Sequence, residues 1–135
     1  GTVETKTGSP GNISHTYSTA GIKTVSITPN TPTGFPRIYV NNFGNRNLLQ
    51  TIESWGSGIW GAAVTSSFYG AANLEVNATD IPDFSQTTNF KHMFTNCSSL
   101  TGSNGFSNWT LNTNLGASIS FENMFYRATA FNGTI

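Results

Sequence analysis

The side chains best suited to chemistry are His15, His92, the pair Asp80 and Asp83, and Cys97. Histidine is the ordinary neutral-pH base, but neither His has a nucleophile at motif spacing, and no G-x-S-x-G occurs. His15 sits two residues before Tyr17 at an expected hairpin edge. His92 lies between Phe90 and Met93 and is expected to point off the apolar stripe, as a solvated turn residue. Asp80 and Asp83 could ligate Ca²⁺, yet D-I-P-D lacks the string of oxygen donors of a Ca²⁺ loop. The pair reads better as a turn in which both carboxylates accept backbone N–H bonds. Cys97 is the single cysteine, which excludes an internal disulfide and leaves no Cys/His pair at zinc spacing. Equivalent positions elsewhere carry Arg46, Ala71 and Ala128, so Cys97 reads as a small buried filler. The run GSGIWG at 56–61 mimics G-x-G-x-x-G without a strand and helix around it, and is not expected to bind nucleotide. No catalytic group, metal or cofactor is therefore expected. Five N-x-S/T sequons, at Asn12, Asn77, Asn96, Asn108 and Asn132, are within chance for a chain this rich in Asn, Ser and Thr.

What must position these residues is a degenerate repeat. An aromatic and a second apolar residue recur six positions apart, at Phe43/Leu49, Phe68/Leu74, Phe94/Leu100 and Phe125/Phe131. The stretch FKHMFTNCSSLTG at Phe90–Gly102 aligns with FENMFYRATAFNG at Phe121–Gly133. Units of this size cannot bury their own apolar face and must pack on their neighbours. Phe90, Met93, Phe94 and Cys97 stand at i, i+3, i+4 and i+7, the spacing of one helical face, and Phe121, Met124, Phe125 and Ala128 repeat it. The sequence thus predicts an α/β repeat over 35–135. Its form is a short leucine-rich-repeat-like solenoid of about four units, built from short strands and helical turns. Phe68, Leu74, Phe94, Leu100, Phe125 and Phe131 should form its core.

Residues 1–34 are expected to be a separate, partial β-sandwich-like segment with a small hairpin. Thr2–Thr7 and Ile22–Ile27 alternate as strands do, with Val25 and Ile27 as core contacts. Three of the five prolines fall in PNTPTGFP at 29–36, where regular structure should stop.

Only 9% of residues are charged, against about 25% in ordinary soluble domains. The formal net charge is zero and no basic run exists, so nucleic acid is not an expected partner. No apolar run approaches the ~20 residues of a membrane span, so membrane insertion is not expected. Neutral amides and hydroxyls with 13% aromatics fit an extracellular repeat or β-rich protein.

The phrases HMFTNCSSLTG, FSNW and NMFYRATAFNGTI resemble the BspA-type leucine-rich repeats of bacterial surface proteins. That resemblance is best over 85–135, recognisable over 64–84 and weak over 38–63. It implies a curved array of strands and helical turns, a cell-surface setting in bacteria, protists or phages, and adhesion. HTYSTAGIKTVSI at 15–27 is similar to the closing hairpin of a PKD-like sandwich, although Lys23 stands where an aromatic is common. Both ends are expected to continue into a longer protein.

The resulting functional expectation is a non-enzymatic adhesion module, extracellular or on a cell surface, binding protein or carbohydrate on a host or neighbouring cell. The alternative is a structural subunit or spacer of a phage tail fibre or extracellular filament, hence a virion component. Self-association through open ends is expected in either case. Along 74–84 strand alternation turns Glu75, Asn77 and Thr79 outward and Leu74, Val76 and Ile81 inward. With Ser103, Asn104 and Asn108 these are the expected ligand-binding residues. Trp55 and Trp109 are read either as an aromatic platform or as core residues.

Overall fold

The computed structural model describes residues 15–29, 35, 37–106, 109–111 and 118–134. Among these no α-helix forms. The regular elements are one 3₁₀ turn, Arg46–Leu48, and four two-residue strands: β1 (Thr51–Ile52), β2 (Glu75–Val76), β3 (Asp83–Phe84) and β4 (Thr110–Leu111). β1 pairs in parallel with β2, and β3 with β4, as two separate two-stranded sheets. The expected α/β repeat solenoid of strands and helical turns is therefore corrected: the chain has small parallel strand pairs, isolated bridges and turns instead.

The helical reading fails for a backbone reason. Ser66, His92, Asn96, Asn123 and Arg127 all have φ between 54° and 61°, and Gly70 has φ 81°. A right-handed helix cannot hold such residues four apart. They instead occupy the third position of four-residue turns. Met93 N–H donates to Phe90 O at 3.0 Å, and Cys97 N–H to Phe94 O at 3.1 Å. Ser67 to Val64, Ala71 to Phe68, Met124 to Phe121 and Ala128 to Phe125 close the equivalent turns. A left-handed third residue is the mark of a type II turn.

Turn-bearing stretches at 37–49, 63–74, 89–100 and 120–131 lie side by side. The N–H groups of Val64, Ser66, Phe68 and Gly70 donate to the carbonyls of Asn89, Lys91, Met93 and Thr95, at 2.8–3.0 Å. Those of Phe90, His92, Phe94 and Asn96 repeat this onto Ser120, Glu122, Met124 and Tyr126, again at 2.8–3.0 Å. The first stretch is held less regularly, through Val40, Asn41 and Asn42 onto Ser67, Ser66 and Tyr69.

In-register ladders bring equivalent rings face to face. Phe94 stacks between Phe68 (5.3 Å, 14°) and Phe125 (5.5 Å, 7°). Phe68, Leu74, Phe94 and Leu100 are buried as expected, and Phe125 and Phe131 pack half-buried against them. Phe43, the first expected anchor, is 72% exposed, because its stretch is offset from the others and lies at the edge. Trp55, Trp60, Phe84 and Trp109 form a second aromatic layer, with Trp55 edge-on to both other Trp rings at 5.8 Å. Ile22, Val25 and Ile27, expected to be partly core, are 59–87% exposed and form no strand. The hairpin partner Thr2–Thr7 and most of the 29–36 junction lie outside the described residues.

Candidate functional site

Of the six expected binding residues, three converge. Thr79, Ser103 and Asn104 are exposed and line one surface depression of ≈ 270 Å³, with Asp80 and Gly105 on its walls. Ser103 and Asn104 also border a second depression of ≈ 310 Å³, closed on its far side by Asn132, Gly133 and Thr134. Ser103–Asn104 is thus a polar ridge between two hollows. Thr79 and Asn104 make no side-chain hydrogen bond among the described residues. Ser103 Oγ is engaged locally with Thr101 Oγ1 at 2.8 Å.

The other expected residues do different work. Glu75 spends its carboxylate inside the molecule, accepting from Val76 N–H and Thr101 N–H, each at 2.9 Å. Partial burial opposes its charge, but these bonds and those from the Thr101 side chain and Gly102 N–H outweigh it and lower its pKa. Asn77 is exposed, yet its amide donates to Glu53 Oε1 at 3.0 Å. Asn108 lies outside the described residues. Ile81, expected inward, is 52% exposed, because Pro82 and Phe84 take the core positions there.

The wall behind Thr79 is set by Asp80, which the sequence reading placed in a turn but not as a clamp between stretches. It accepts from Ser54 Oγ (2.8 Å), Trp55 N–H (3.0 Å) and Gly56 N–H (2.8 Å). Burial again opposes the charge, and the three donors prevail, holding its carboxyl below the usual range. Asp83 accepts from Ser85 N–H at 2.9 Å, so both carboxylates act as N–H acceptors as expected. Gly105 is required on that wall: its φ is 73°, and a Cβ there would strike Val76 Cγ1 and lie 3.1 Å from Ala78 O. Trp55 Nε1 lies against the same glycine, buried and without an acceptor among the described residues.

The groups capable of chemistry are dispersed. His92 caps its turn through Thr95 Oγ1 (3.2 Å) and stacks on Tyr69, while His15 sits edge-on to Tyr17. Cys97 is fully buried, donates to Phe68 O at 3.2 Å, and has its thiol pushed up to about 12 by desolvation, against the opposing Ala71 N–H. It fills the core, as expected. Among the described residues no cluster of three His, Cys, Asp or Glu could hold a metal. None of their helices is long and apolar enough to cross a membrane. Trp55 and Trp109 are 6% and 8% exposed, so the reading of them as core residues holds and the platform reading does not.

No family model, curated protein or solved structure matches the chain.

Proposed function

We propose that the protein is a non-enzymatic binding module, displayed outside a cell, that takes a neutral polar ligand on the Ser103–Asn104 ridge. The observation that carries this reading is the pair of hollows flanking that ridge, which expose unengaged amide and hydroxyl groups at Thr79, Asn104, Asn132 and Thr134. Fixed backbone around such groups favours hydrogen-bonded recognition of a carbohydrate or a polar protein loop over charge-driven capture. A fit by shape and hydrogen bonds without a buried aromatic anchor is weak per site, which suits a surface that acts in many copies.

The experiment is a paired substitution, Thr79→Ala with Asn104→Ala, tested on a glycan array and in a cell-adherence assay. Both side chains are exposed, so the thermal midpoint should hold while binding falls tenfold or more. Full binding by the double variant would remove the ridge as the site.

A further inference from the structure

A chain this rich in asparagine carries many side-chain amides that can react with their own backbone. The nitrogen of the following peptide attacks the Asn Cγ and closes a succinimide ring. Two conditions select where this happens. The attacking N–H must be free of a hydrogen bond, and the residue bearing it must not obstruct the approach, which favours glycine.

The ladders and turns protect most of the asparagines. Among the described residues, the N–H that follows an asparagine is engaged everywhere except after Asn45, Asn104 and Asn132. Ala78 N–H donates to Ile52 O, Cys97 N–H to Phe94 O and Met124 N–H to Phe121 O, at 3.0–3.1 Å, so Asn77, Asn96 and Asn123 are shielded. Arg46 follows Asn45 and obstructs the attack with its side chain. Asn104–Gly105 and Asn132–Gly133 are the two Asn-Gly steps of the chain. Asn132 is tethered, its own N–H donating to Thr101 O at 2.9 Å. At Asn104 neither its own N–H nor that of Gly105 has an acceptor among the described residues. The Asn104 side chain is exposed and makes no hydrogen bond among them, so the amide is free to turn onto the Gly105 nitrogen.

We propose that Asn104 is a self-modifying site, deamidated by the backbone nitrogen of Gly105. The Gly105 N–Cγ bond forms and the Cγ–Nδ2 bond breaks. The amide leaves as ammonia, taking up the proton that Gly105 N gives away. Water then opens the ring. Cleavage at Cγ leaves aspartate, and cleavage at the main-chain carbonyl leaves isoaspartate, whose backbone runs through the former side chain.

Either product places a carboxylate, ionised at neutral pH, in the hollow that Asp80 already lines, on a chain of zero formal charge. Isoaspartate also lengthens the backbone by one methylene. Gly105 cannot absorb that change: its carbonyl accepts from Trp109 Nε1 at 2.6 Å, and Val76 fills the space where a Cβ would stand. The displacement falls instead on Ser103 and residue 104. Resting on the ridge as the binding site, this chemistry turns a neutral surface acidic and sets how long it holds a neutral ligand.

The test ages the purified chain in mildly alkaline buffer and maps its peptides by fragmentation mass spectrometry. Conversion, a gain of about one mass unit, should appear at Asn104 before any other asparagine. It should slow in mildly acidic buffer, where the attacking nitrogen keeps its proton. Asn104→Gln keeps the amide but requires a larger ring, so position 104 should then stay unaltered. A wild-type chain that ages without change at 104, or changes first at another asparagine, overturns the proposal. On the glycan array, aged wild type and fresh Asn104→Asp should bind tenfold or more weakly than fresh wild type. Aged Asn104→Gln should match its own fresh sample. Converted wild type that binds as well as fresh protein overturns the ridge as the site, while the mass map still establishes the modification, so the two failures are distinct.

Discussion

Asn96 gives the most direct test of the turn architecture, because glycine and alanine there have opposite consequences in a turn and in a helix. Its φ is 61°, its side chain makes no hydrogen bond among the described residues, and its N–H donates to Tyr126 O at 2.9 Å. Both substitutions keep that N–H, so the comparison isolates backbone conformation. In a helix, alanine would be the more stable by about 1 kcal/mol. At positive φ a Cβ costs about 1–2 kcal/mol that glycine does not incur. The Ala-minus-Gly difference therefore swings by about 2–3 kcal/mol between the two conformations. Asn tolerates the left-handed region better than alanine does. Asn96→Gly should thus be neutral or stabilising by up to about 1 kcal/mol, and Asn96→Ala destabilising by about 1 kcal/mol. Urea unfolding with a common slope measures both. If Asn96→Ala proved more stable than Asn96→Gly, the turn assignment at 94–97 would be wrong.

Three other expectations follow from the packing and the carboxylates. Phe94→Ala should cost about 4–5 kcal/mol, the upper range for a buried ring, since it lies fully buried between two stacked rings. Phe43→Ala should cost under about 0.5 kcal/mol as an exposed position, and equal costs in urea titrations would refute the unequal burial. The folded-state pKa values of Asp80 and Glu75 are depressed, so their contribution is present above the unfolded values of about 3.9 and 4.3 and is lost as pH falls below them. The thermal midpoint should drop below about pH 4, and drop less in the Asp80→Asn, Glu75→Gln variant; identical acid profiles would deny these groups that role. Cys97, buried and with its thiol pushed up to about 12, should resist alkylation until the chain unfolds. Mass spectrometry after iodoacetamide, with and without urea, checks this.

The recurrence of Phe68, Phe94 and Phe125 with their partners six residues on was legible because equal spacing places equal residues opposite one another. Stacked rings are the result. The turns were misread because successive four-residue turns return apolar residues to one face at nearly helical spacing. Phe90, Met93, Phe94 and Cys97 satisfy both. The distinguishing signal was present in Gly70, Asn96 and Asn123, residue types that accept positive φ, but Ser66 and Arg127 carry no such mark. Outward residues were legible at Thr79, Ser103 and Asn104. Alternation alone could not show that Glu75 would be drawn to the N–H of Thr101, 26 residues away, or that Asn132 and Thr134 would close the second hollow. Those depend on contacts between stretches, which local pattern does not encode.

The ladders also determine how the molecule answers to force. Because the N–H rows join each stretch to its neighbours in sequence, a pull on the two ends loads these joints in series, so each bears the same force and the weakest yields first. Each release frees a length of chain set by the repeat: the anchors are 25, 26 and 31 residues apart, or about 80–110 Å of contour at 3.3–3.6 Å per residue. Stretched in a single-molecule force experiment, the chain should lengthen in steps of that size, extending stepwise as a tether does. A single all-or-none rupture would show instead that the shared aromatic core binds the stretches into one mechanical unit.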